Sequence, residues 1–164
     1  MKRPSATDVV LLALVICYFM VVGADLFAQM SITPAALAAP PGSLAMFQGD
    51  YVYDGAPFWR ITTSLALLLF AITVLLNWRT NRRSLLLTGF VAFVVLNVVS
   101  WLYIFPEYLS IVGSAYSDTV DAELVARGAA WRRLAGTRWV IAFLIGLFPS
   151  LALMQRSTEA TAAS

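Results

Sequence analysis

Asp25 is the one formal charge inside any long apolar run of this chain, and Gln29 follows it one helical turn later. A carboxylate in a membrane span is costly, which makes it a functional hypothesis by default. Arg60 opens the second apolar run, Asn97 lies in the third with Trp101 one turn beyond it, and Arg138 opens the fourth. Counted at about 1.5 Å of helix per residue, these groups fall at one depth on the outer side. Nothing comparable is expected in the inner half. The chemistry this pattern suggests is an outward-facing pocket between helices, ringed by Asp25, Arg60, Asn97 and Arg138 and walled by Trp59, Trp101 and Tyr103. In such a pocket Asp25 is the candidate base, and Arg60 and Arg138 would stabilise negative charge developing on an aromatic or quinone-like lipophilic molecule. The structural alternative is an ion-pair lattice. Asp25 paired with Arg60 or Arg138 would pin helices together, while Asn97 bonds a neighbouring backbone. Arg60 and Arg138 also suit membrane boundaries simply because long basic side chains snorkel.

The chain contains no histidine. Haem ligation, blue copper, a two-histidine iron site and a serine–histidine relay are therefore excluded in their usual forms. Five methionines and one cysteine at scattered positions make no thioether metal site, so neither a metal nor another cofactor is expected. Gly128-Ala129-Ala130-Trp131-Arg132-Arg133 lacks the pattern of a phosphate-binding loop. Arg127, Arg132 and Arg133 lie among acids outside the apolar runs. They read as a solvated face or as lipid-headgroup contacts, not as a nucleic-acid surface. Cys17 sits mid-helix among apolar neighbours and reads as inert packing.

The elements that must position these groups follow from composition. At 60% hydrophobic and 12% charged residues, the 164-residue chain lies outside the soluble globular range. A hydrocarbon core about 30 Å thick needs roughly 20 apolar residues of helix. Four segments qualify, at Val9–Met30, Ile61–Trp78, Leu85–Phe105 and Trp139–Met154. The first apolar run is too long for a typical signal-peptide core and is read as a transmembrane helix. The expected fold is all-α: one domain spanning 1–164, an integral membrane bundle of four antiparallel helices.

Orientation follows from the basic residues. The short turn from Asn77 to Arg83 holds Arg79, Arg82 and Arg83 and no acid, which places it in the cytoplasm with Lys2, Arg3 and Arg156. Both termini then face the cytoplasm of a bacterial plasma (inner) membrane, and both substantial loops lie outside. The first, 32–59, has repeated helix breakers at Pro34, Pro40-Pro41-Gly42 and Gly55-Ala56-Pro57, yet it is aromatic enough to fold onto the bundle mouth. Pro106 is expected to close the third helix. The second outer segment, 107–138, reads as an amphipathic helix from Asp118 onward, with Asp118 as the cap, running into the fourth span.

At the start of the fourth span, Trp131, Leu134 and Arg138 introduce a long apolar helix. This pattern resembles the last helix of the anthrone oxygenase-like family of four-helix membrane proteins. The small residues ending the first helix and the proline-containing loop after it are similar too. The resemblance implies the four-helix fold over the whole chain. Members of that family usually carry a histidine beside the leucine, where this chain has Ala135. The resemblance therefore implies shared packing through Trp131, Leu134 and Arg138 without the family's oxygenase activity.

The leading functional reading is a noncatalytic accessory or stabilising subunit, with the lipid bilayer and other membrane protein subunits as partners. The alternative is a cofactor-free enzyme or binder acting on a lipophilic small molecule in the outer-side pocket.

Overall fold

A computed structural model of the chain describes residues 5–50 and 52–155. Lys2, Arg3 and Arg156, used above to argue orientation, lie outside the described residues. Helix α1 (Ala6–Phe27) starts at a capping box: the Ser5 hydroxyl accepts from the Asp8 N–H at 3.2 Å, and the Asp8 carboxylate accepts from the Ser5 N–H at 3.2 Å. The sequence suggests that this helix ends near Ser31. Instead it passes through a π-helical turn (Ala28–Ile32) into a short α2 (Thr33–Ala36). Helix α4 (Arg83–Val99) does the same, continuing through a π turn (Ser100–Ile104) into α5 (Phe105–Val112). Pro106 therefore does not close the third helix, and Pro34 does not open the first loop.

The physical reason is common to both. A helical proline lacks an N–H, and its ring collides with the carbonyl four residues back. Widening the preceding turn relieves that collision. The residue just before each proline bonds five residues back, Thr33 N–H to Ala28 O and Phe105 N–H to Ser100 O.

Helix α3 (Ala56–Leu76) begins five residues earlier than expected. Asp54 accepts from the Ala56 N–H at 2.9 Å, and Pro57 falls in the first turn, where a missing donor costs nothing. Helix α6 (Ala122–Met154) is one unbroken helix of 33 residues. Its cap is Asp121, which accepts from the N–H groups of Glu123 and Leu124 at 2.8 and 3.2 Å. Asp118, the expected cap, accepts from the Tyr116 hydroxyl instead. No strand occurs among the described residues.

One core runs through α1, α3, α4 and α6. At its centre Tyr18, Phe70 and Phe93 pack at ring-centroid separations of 5.6 to 5.9 Å. Cys17 is buried beside them. A second apolar cluster gathers Ala36, Leu44, Ile104, Ile111, Trp131 and Ala135, joined by Phe47 and Tyr108. Both loop segments are thus folded onto the mouth of the bundle. Two hydrogen bonds reinforce this: Asp121 N–H to Pro40 O at 2.9 Å, and the Gln48 side-chain Nε2 to Ser114 O at 2.9 Å.

The outward faces of the long helices are apolar, with Ile16, Leu68, Leu75 and Leu102 all more than half exposed. In water such a surface would aggregate; in hydrocarbon it is already solvated. Four helical stretches, Ala6–Ala36, Ala56–Leu76, Arg83–Val112 and Ala122–Met154, are long and apolar enough to cross a membrane. The fold fits an integral membrane protein.

Close helix contact predicts a sharp mutational contrast. A Cβ on Gly89 would lie 2.9 Å from Phe148 Cβ, an atom that cannot swing away. Gly89→Ala should therefore lower unfolding stability by about 1–3 kcal/mol. A Cβ on Gly23 meets nothing within 4 Å, so Gly23→Ala should be neutral or raise stability by up to about 1 kcal/mol. Denaturant titration of both variants in mixed micelles checks this, and equal losses would refute it.

Candidate functional site

The described residues place buried charge at two depths. Toward the loop end of the bundle, Asp25 of α1 is 6% exposed and forms an ion pair with Arg138 of α6. The Gln29 side chain, one turn on, interacts with the same carboxylate. Two further bonds hold the seam between these helices. Trp139 Nε1 donates to Val22 O at 3.0 Å, and the Tyr18 hydroxyl donates to Ala142 O at 2.8 Å. Each ties a side chain of one helix to the backbone of the other, so rotation of α1 against α6 would break several bonds at once.

The remaining candidates do not join this pair. Arg60 is exposed in the second turn of α3 and makes no ion pair with any described residue. Asn97 is half-buried and donates to Phe93 O at 2.8 Å, one turn back in its own helix. Ser100 and Ile104 are the buried positions of the second π turn, so the three residues between them turn outward. Trp101 is accordingly 66% exposed and Tyr103 72%. Trp101 packs edge-on against Phe105, and Trp59 against Phe58. Of the predicted ring, the fold brings together Asp25 and Arg138. A general base needs a free lone pair within reach of a substrate proton. The Asp25 carboxylate is engaged by the Arg138 guanidinium.

The opposite end of the bundle, where no comparable group is expected from the sequence, also holds a charged pair. Arg82, one of three arginines in the α3–α4 turn, is 3% exposed. Its Nη1 donates to Asp8 at 2.6 Å and its Nε to the Gln155 carbonyl at 3.0 Å. Asp8 lies in the first turn of α1 and Gln155 at the end of α6. The anion thus sits at a positive helix end and the cation at a negative one. Beneath them Asn77 is fully buried, donating to Thr73 O at 2.9 Å, and its backbone carbonyl accepts from Thr80 at 3.0 Å. Thr73 Oγ1 is buried with no partner among the described residues. The signal that could have found this layer is Asp8 itself, an acid at the start of an apolar helix on the side that collects arginines.

The two layers are evenly set. Seventeen residues separate Asp8 from Asp25, and seventeen separate Arg138 from Gln155. At about 1.5 Å per residue each interval is about 26 Å, close to the thickness of a hydrocarbon core. An Asp–Arg pair with one buried member, Asp25 or Arg82, therefore closes the bundle at each margin, and the aromatic core fills the space between.

A third feature lies outside these layers. An open groove of about 470 Å³ runs between the first π turn and α6, lined by Gln29, Ala129, Arg132, Arg133 and Gly136. On the far side of the loop end, Arg127 is held by Glu107 at 2.8 Å and by Ser110 at 2.9 Å. Compared with family models, with curated proteins and with solved structures, the chain matches none.

Proposed function

We propose that this chain is a noncatalytic subunit that stabilises a larger membrane protein assembly. It crosses the plasma membrane with four antiparallel helices and keeps both termini in the cytoplasm. The observation that carries this reading is the mutual engagement of the charges inside the bundle: Asp25 with Arg138, and Asp8 with Arg82. A catalyst needs a reactive group held ready for a substrate, whereas these groups hold helices to one another. The filled aromatic core between them adds support, because a lipophilic substrate would need that space.

The resemblance to the anthrone oxygenase-like family enters as a proposal of shared packing. Trp131 is buried and donates to Ile104 O at 2.9 Å, a carbonyl of the second π turn. Arg138 forms the pair with Asp25, while Leu134 faces outward. Ala135 is 1% exposed within the apolar cluster, where a methyl group is what the packing accepts.

The assembly reading is tested by extracting the protein from its native membrane in mild detergent. The expected result is co-migration with defined polypeptides at fixed stoichiometry. Migration as an isolated 17.9 kDa chain would overturn it.

Sidedness is tested separately by cysteine labelling, with buried Cys17 as a quiet background. Cysteine at Arg79 should react with an impermeant maleimide only from the cytoplasmic face, and cysteine at Asp118 only from the outside. The reverse pattern would invert the topology.

A further inference from the structure

The groove beside the first π turn has a composition that selects its occupant. Ala129 and Gly136, two helical turns apart on one face of α6, form its floor. A Cβ on Gly136 would meet nothing within 4 Å, so the notch is open space. The charged groups lining it are all cationic. Arg132 and Arg133 are exposed and form no ion pair with any described residue. Gln29 adds an amide, and no carboxylate lines the groove. Asp25, the acid nearest in sequence to Gln29, is already held by Arg138.

Depth narrows the choice further. Arg132 and Arg133 precede Arg138 by six and five residues, which places them about 8–9 Å beyond the start of the apolar span. That is the headgroup layer flanking the hydrocarbon. In the other direction the same face of α6 continues through Val140, Phe143 and Leu147, each at least 39% exposed. A cationic notch at headgroup depth thus sits above an apolar strip at acyl-chain depth.

We propose that this groove binds the phosphate headgroup of an anionic phospholipid. Arg132 and Arg133 supply the charge contacts and Gln29 a neutral hydrogen bond. A zwitterionic headgroup fits less well, because its ammonium would find no counter-charge among the lining residues. This inference needs the membrane setting but not the subunit role.

The test is native mass spectrometry of the intact chain in micelles doped with equal phosphatidylglycerol and phosphatidylcholine. The wild type should retain phosphatidylglycerol preferentially. Neutralising arginines near an anionic headgroup should weaken retention about fivefold each, so Arg132→Gln with Arg133→Gln should weaken it about twenty-five-fold. The double lysine variant should keep most of the binding, which also covers the case in which the glutamine pair folds poorly. Arg60→Gln, removing an exposed cation elsewhere at the loop end, should change retention less than about twofold. Equal retention of the two lipids would overturn the proposal, as would equal loss in Arg60→Gln. Inorganic phosphate binding as tightly as phosphatidylglycerol in lipid-free micelles would reassign the groove to a free anion and overturn it too.

Discussion

Replacing Asp25 by leucine should destabilise the bundle by roughly 3 kcal/mol, the low end of the range for breaking a buried pair by removing one partner. The low end is chosen because the Arg138 side chain keeps 19% of its surface, through which water can still reach the stranded guanidinium. The informative comparison is the double variant, Asp25→Leu with Arg138→Leu. Removing both charges leaves nothing uncompensated, so at least half of the lost stability should return. Unfolding titrations of the wild type, both single variants and the double variant close the cycle. Simple additivity of the two single losses would show that Asp25 and Arg138 do not act as a pair. An Asp25 variant of full stability would remove the structural role and reopen this carboxylate as a reactive group.

Arg82→Met should cost about as much, roughly 3 kcal/mol, because it severs a charge-assisted bond to Asp8 and the bonds to the Gln155 carbonyl together. Its neighbours in the same turn supply the control. Arg79 is exposed, and methionine there should change stability by less than about 0.5 kcal/mol. Arg83 lies 4.0 Å over the Trp78 ring, so its replacement should cost about 0.5–1 kcal/mol. Arg82→Lys should recover part of the loss, since an ammonium keeps the charge but not the planar fork that spans two acceptors. Equal effects at all three positions would reduce Arg82 to one more marker of membrane orientation.

These contrasts show how much of the molecule could be read from its residues. The four spans were legible because hydrocarbon thickness and helical rise set a length that any long apolar run either meets or misses. Helix ends were much less legible. Pro34 and Pro106 are ordinary stop signals, yet both lie inside continuing helices. Whether a proline ends a helix depends on whether the turn before it can widen and whether the next residues find packing. After Pro106, Ile111 finds it in the cluster that holds Trp131, twenty residues further along the chain.

Charge placement divides in the same way. That Asp25 required a partner followed from the sequence, because desolvating a carboxylate is costly wherever it happens. Arg60 and Arg138 were equivalent candidates, each opening an apolar run, and Arg79, Arg82 and Arg83 were equivalent members of one basic turn. Only the tertiary structure chose among them. The transfer cost of a side chain is a property of that residue and its near neighbours, so the residues alone determined which segments are buried in lipid and which charges need neutralising. A partner is selected by how helices distant in sequence rotate and slide against one another. Seating Tyr18, Phe70 and Phe93 at the centre fixes the rotation of α1. That rotation turns Asp25 toward α6 and Asp8 toward the α3–α4 turn, and so decides which arginines are buried.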